Sequence, residues 1–211
     1  QILNDFNLKK IKKLIIKKNL NIFKFINKYN YDENNKEVLS YDAKTGQPLK
    51  YNLSPYYLVM GNNGKHYVIG SRYYDKPNKL TPYKIEYIRN ISIKRKYSRK
   101  SKEQAFGINN SFKIAKCLNE HPKMFLNESP LDCDIKFTGN PKATVSFKDE
   151  YGSNFKSYVD DKGFLHYSFK ATERFLTLFA LDYANDIEVC APESCRQKIL
   201  EVAKSLQAKY K

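Results

Sequence analysis

Leu53-Ser-Pro-Tyr-Tyr-Leu-Val-Met60, the turn Gly61-Asn-Asn-Gly-Lys65, His66-Tyr-Val-Ile-Gly70 and Tyr83-Lys-Ile-Glu-Tyr-Ile-Arg-Asn-Ile91 decide the fold of this chain. Each apolar run has strand length and is rich in β-branched and aromatic residues. The Gly/Asn loop between the first two accepts the positive φ that a hairpin turn needs. A third strand is expected from Lys84 to Ile93, after a loop that carries Pro77. Short strands at this spacing predict a small, strongly bent antiparallel sheet of barrel type.

The pattern extends in both directions. Upstream, Leu8, Ile11, Leu14 and Ile15 fall on one face of a helix expected from about Asn7 to Lys18, with lysines on the other. That lysine face reads either as a solvated surface or as a phosphate contact. Leu20 to Tyr31 alternates with period two and becomes the first strand of the sheet, and an edge strand is expected near Val38–Tyr41. Downstream, Lys94 to Lys102 is a basic run with no apolar period and reads as a linker.

The second half has a different grammar. A helix is expected over Ser111–Glu120, then short strands at Leu131–Phe137 and Ala143–Phe147. Phe155–Val159 and Phe164–Phe169 form a hairpin around Asp160-Asp-Lys-Gly163. Thr172 caps a helix carrying Phe175, Leu176, Leu178 and Phe179, and Ile187–Cys190 is a brief strand. Pro192 opens a last helix with Ile199, Val202, Ala203 and Leu206 inward. The order predicts a small α/β sandwich. The fold class is therefore α+β: residues 1–19 a linker helix, 20–102 a small Sm/SH3-like antiparallel β-barrel with its basic linker, and 103–211 the sandwich.

Composition bounds the rest. With 41% hydrophobic and 14% aromatic residues the chain can bury two small cores. No run approaches the ~18 apolar residues of a membrane span. The four cysteines (117, 133, 190 and 195) form no CxxC pair and have no histidine at metal-ligand spacing. They read as idle or buried thiols in a reducing cytoplasm, and no metal or cofactor is expected. The net charge of +16 is unevenly placed: residues 1–102 hold 23 Lys/Arg against 7 Asp/Glu, and residues 103–211 hold 15 of each. A bias toward Lys in the coding DNA would not respect that boundary, whereas a surface that faces a polyanion would produce it.

No catalytic constellation stands out. His66, His121 and His166 have no Cys, Ser or carboxylate at motif spacing, and Asp160-Asp161 sits in a turn where Asp is favoured for backbone reasons. The chain is read as a binding protein, not an enzyme. Its candidate ligand-binding residues are Tyr56, His66, Tyr67, Arg72, Tyr83, Lys84, Tyr87 and Arg89. Lys and Arg neutralise phosphates, and a tyrosine ring offers a stacking surface worth roughly 1–3 kcal/mol per base.

The same block resembles the WYL domain. Pro55-Tyr-Tyr-Leu-Val59 matches the strand before the eponymous run, which appears here as His66-Tyr67-Val68, and Tyr83 to Ile88 matches the closing strand. His66 stands where the family has Trp, and Tyr87 where it has Arg. The stretch from Phe175 to Tyr210 resembles the companion domain that follows WYL in bacterial transcriptional regulators. The resemblance implies a cytoplasmic, homodimeric sensor of nucleic acid or a nucleotide-like effector. It also implies a DNA-binding module upstream, for which residues 1–19 are too short. The chain begins with Gln1 and reads as part of something longer. The alternative is a freestanding accessory protein that binds single-stranded DNA or RNA in a phage-defence or CRISPR system.

Overall fold

The computed structural model describes residues 8–9, 11–12, 15, 22–31, 34, 36–39, 41–72, 80–94, 100–106 and 113–210. The chain divides into two compact units, residues 1–112 and 113–211.

Unit 1 is built on β1 (Ile22–Tyr31), β2 (Glu37–Leu39), β3 (Lys50–Met60), β4 (His66–Arg72), β5 (Thr81–Lys84) and β6 (Ile88–Lys94). All the pairings are antiparallel, in the order β2-β1-β3-β4-β5 with β6 also on β1. The expected hairpin is β3–β4, and Gly64 takes φ +70° in its loop.

Three register steps shape the sheet, the first in β1, where Lys28 pairs with Leu39 and Asn30 with Val38. In β3 the register steps between Pro55 and Tyr57, so Tyr56 is the extra residue. Pro55, which has no N–H to donate, is tolerated at such a bulge. In β6 the pairing steps from Lys24↔Ser92 to Ile26↔Arg89, and Asn90 absorbs the step at φ +53°. Asn is among the residues that accept this conformation at low cost.

The expected strand Lys84–Ile93 is broken. A 3₁₀ turn, Ile85–Tyr87, separates β5 from β6. Ile85 and Ile88 are both fully buried in one cluster with Ile11, Leu53, Val68 and Tyr83. An extended strand would point residues three apart to opposite faces, whereas a turn of three residues puts them on the same side. This turn also decides the barrel question. Among the described residues β6 joins β1 and no ladder joins β5 to β6, so the sheet is bent but not a closed barrel.

The described helical residues near the N-terminus follow the expected stripe. Ile11 is buried and Leu8 and Ile15 are half-buried against the cluster, with Lys9 and Lys12 exposed. Leu14 and the remaining lysines of that helix lie outside the described residues, as does 95–99 of the basic run. The run's end is α1 (Lys102–Phe106).

Unit 2 opens with α2 (Ile114–Glu120). Then follow β7 (Pro130–Phe137), α3 (Lys142–Tyr151), β8 (Lys156–Val159), β9 (Leu165–Thr172), α4 (Glu173–Asp182), β10 (Ile187–Ala191) and α5 (Glu193–Lys209). The strands pair antiparallel in the order β10-β7-β9-β8. From β7 onward this is the βαββαβ order of a ferredoxin-like sandwich.

One expectation fails here: Ala143–Phe147 is helix, not strand. Ala143, Phe147 and Tyr151 are the buried residues of α3 while Val145 is exposed, whereas a strand would turn 143, 145 and 147 to one face. The β-branched Thr144 and Val145 between them mimic a strand. The Phe147 ring lies 4.8–6.5 Å from those of Phe137, Tyr151, Phe155, Tyr167, Phe169 and Phe179.

Thr172 caps α4 as expected, its Oγ1 accepting from the Phe175 N–H at 3.2 Å. Phe175, Leu176 and Phe179 are buried, while Leu178 faces out. In α5 the inward face ends at half-buried Ile199 and Val202, leaving Ala203 and Leu206 exposed. The helix rises about 26 Å, and β10 beside it runs only about 17 Å.

Two substitutions test these cores. Phe147→Ala is expected to lower unit 2 stability by about 3–5 kcal/mol, read from its urea midpoint. A Cβ at position 70 would stand 2.4 Å from the Ser54 carbonyl oxygen and 2.7 Å from Leu53 Cγ. Gly70→Ala is therefore expected to destabilise unit 1 by about 1–3 kcal/mol, with no effect on unit 2.

Candidate nucleic-acid interface

Three of the eight candidate residues are inside. Tyr56, Tyr67 and Tyr83 are 5%, 5% and 4% exposed. The Tyr56 hydroxyl donates to the Lys100 carbonyl at 2.7 Å, and the Tyr67 hydroxyl accepts from Asn63 Nδ2 at 2.9 Å. Tyr83 packs against Tyr51 with centroids 5.5 Å apart. These rings shape the sheet and present no open stacking face.

The other five are half-buried. Two of them are cations set against tyrosine rings. Lys84 Nζ lies 5.3 Å from the Tyr87 centroid, and Arg72 Cζ lies 6.0 Å from that of Tyr51. Both distances are within reach of a cation–π attraction. Lys84 pairs across the sheet with Tyr67, whereas Arg72 lies five residues further along β4. The two cations are therefore about 17 Å apart along one strand, two stations on one sheet rather than one pocket.

His66 pairs with Met60 at the hairpin end of β4. Beside that end, Lys65 Nζ forms a salt bridge to Glu86 Oε2 at 3.2 Å. Arg89 has a different task. Its Nη1 donates to the carbonyls of Glu86 and, at 3.0 Å, Ile88, so the guanidinium ties down the 3₁₀ turn.

Sequence reasoning missed a third pair. Lys100, in the run expected to be a linker, donates from its N–H to Ser54 Oγ at 3.4 Å and from Nζ to the Arg72 carbonyl at 3.4 Å. The chain is thereby held against β3, and Lys102 Nζ lies 5.0 Å from the Tyr57 centroid. A basic run without apolar period carries no signal for such docking, because backbone and hydroxyl groups make the contacts.

The thiols are protonated reserves. Burial pushes Cys117 up to about 11 and Cys133 up to about 12, and it raises Cys190 and Cys195 as well. A raised thiol pKa means less thiolate, and so a slower nucleophile, at any pH below it.

No family model matches the chain, and neither does any curated protein. Among solved structures it is similar to one described as a CRISPR Cas-related protein, with 13% identity and a TM-score of 0.49 over 99% of this chain and 54% of that one. It is also similar to proteasome accessory factor B/C (PafBC) of Arthrobacter aurescens, with 13% identity and a TM-score of 0.34 over 92% of this chain and 26% of that one. The chain thus spans about half of the first structure and a quarter of the second. Likenesses this loose carry no argument about function.

Arg89→Ala is expected to cost unit 1 about 1–3 kcal/mol by leaving the turn carbonyls without their donor. Native alkylation of Cys133 at about pH 8 is expected to run roughly a thousandfold slower than that of an exposed cysteine. Mass mapping of the labelled protein checks this.

Proposed function

We propose that unit 1 is an effector-sensing module of a bacterial transcriptional regulator, taking single-stranded nucleic acid or a nucleotide-like ligand. One observation carries the reading. The whole excess of positive charge falls within residues 1–102, and there Arg72, Lys84 and Lys102 each stand against a tyrosine ring. Cations neutralise phosphates, and the faces of tyrosine rings stack on bases. The WYL-like order of Pro55–Val59, His66–Val68 and Tyr83–Ile88 supports the same reading and adds the regulatory context.

In this reading the ligand is held along the sheet and not in a closed pocket, since the cationic stations are spread over β3, β4 and β5. The regulator works in the cytoplasm as a homodimer and contacts its operator DNA through a separate module. Ligand binding is a binding step only, with no bond made or broken.

Fluorescence anisotropy with labelled short single-stranded DNA and RNA, between about 50 and 200 mM salt, tests the proposal. Affinity is expected to fall steeply with salt. Arg72→Ala/Lys84→Ala, shown folded by circular dichroism, should weaken binding and reduce the salt slope by about 2. An unchanged slope and affinity in the double variant would remove the sheet from the mechanism.

A further inference from the structure

The outer face of the unit 2 sheet, opposite its aromatic core, gathers side chains that lie far apart in sequence. Asp134 is on β7, His166 on β9 and Cys190 on β10, three adjacent strands. One donor atom from each lies within 4.8 Å of the other two. We propose that Asp134, His166 and Cys190 form a binding site for a single zinc ion.

Four features of the geometry support this. The donor set is one carboxylate, one imidazole and one thiol, the types that zinc takes at about 2.0–2.3 Å. Bonds of that length in a tetrahedron separate donors by roughly 3.3–3.7 Å, so side-chain shifts on the order of an ångström close the site.

Second, the orientations of Asp134 and His166 are already fixed by neighbours. Ser168 Oγ at 2.6 Å and the Tyr158 hydroxyl at 3.1 Å both sit on Asp134 Oδ2. This leaves Oδ1, 2.8 Å from His166 Nδ1, to turn toward the ion. The other imidazole nitrogen, Nε2, faces Asp160 Oδ2 at 3.3 Å. A carboxylate behind the imidazole is the usual support of a zinc-bound histidine, because it fixes the tautomer and the ring plane. Tyr158 stacks on the same ring with centroids 4.7 Å apart, and the His166 side chain is only 8% exposed.

Third, Cys190 is the extra residue of a β-bulge. Val189 pairs with Ile135 and Ala191 with Asp134, so Cys190 and Ala191 together oppose Asp134. Bulges re-aim side chains and are common beside functional sites.

Fourth, an open cleft borders the Asp134 donor, and the lysine nearest the thiol is already paired. The cleft is lined by Asp132, Asp134, Lys156, Ser168, Lys170 and Ala191. Lys136, the nearby cation on β7, is ion-paired with Glu188. The second thiol–imidazole pair of unit 2, Cys117 and His121 at 3.8 Å, is no rival. Both His121 ring nitrogens face backbone carbonyls, at 2.6 and 2.9 Å. Three protein donors leave the fourth zinc position to water or to an external donor.

Titration of the whole chain with cobalt(II), followed by zinc competition and metal analysis after dialysis, decides the matter. The expected result is one zinc per chain, with a thiolate-to-cobalt charge-transfer band that vanishes in Cys190→Ser and survives in Cys117→Ser. Asp160→Asn keeps all three donors and should retain the band while weakening zinc by about 10–100-fold. A folded parent chain that retains no zinc would overturn the proposal. So would a band that persists in Cys190→Ser, or an affinity unmoved by Asp160→Asn.

Discussion

The close approach of β4 to β3 at Gly70 is the constraint on which unit 1 depends. Only a residue without a Cβ lets the β4 backbone lie against the Ser54 carbonyl and the Leu53 side chain. The bulge at Tyr56 sits next to this contact, opposite Gly70 and Ile69. Together they set the register of the hairpin, and a one-residue slip would exchange the two faces of every strand that follows. Val68 then meets Leu58 and Tyr83 in the core, Tyr67 meets Lys84, and Arg72 ends β4 against the Tyr51 ring. The cation–aromatic stations are a consequence of this register.

Much of the fold was legible because its signals are local. The β3–β4 hairpin announces itself through Gly61-Asn-Asn-Gly64, and the α4 cap through Thr172 followed by apolar residues at helical spacing. The misreadings share a cause, in that a short segment satisfied two periods at once. Ala143, Val145 and Phe147 alternate like a strand, while Ala143, Phe147 and Tyr151 repeat like a helix, and burial in the aromatic core selects the second. Lys84 to Ile93 also reads as one strand until Ile85 and Ile88 enter the same cluster, which the 3₁₀ turn permits.

The candidate site was legible in chemistry but not in placement. Strand alternation puts His66, Val68, Gly70 and Arg72 on one face and Tyr67, Ile69 and Ser71 on the other, yet it cannot say that both faces of β4 are covered. Tyr56, Tyr67 and Tyr83 are consumed by packing, and Arg89 by two carbonyls that exist only once the 3₁₀ turn has formed. Lys102 gains its tyrosine because Lys100 is bonded to β3 and β4 partners more than 25 residues away in the chain. Contacts of that range leave no periodic trace.

The two units use opposite electrostatic means, and this argues that they do different work. Unit 1 keeps nearly all of the net charge and disperses its cations among tyrosines, an arrangement suited to a long flexible anion that can be met at several points. Unit 2 is near neutral in composition, yet it concentrates the carboxylates of Asp134, Asp160 and Glu188, beside the Cys190 thiol, around one buried imidazole and one paired lysine. Crowding anionic groups on one side of a four-stranded sheet costs free energy unless a compact positive charge offsets it. Strand order makes such a cluster possible: by placing β10 and β9 on either side of β7, the βαββαβ chain brings residues 134, 166 and 190 within one ion's reach, a proximity that no motif spacing in the sequence encodes.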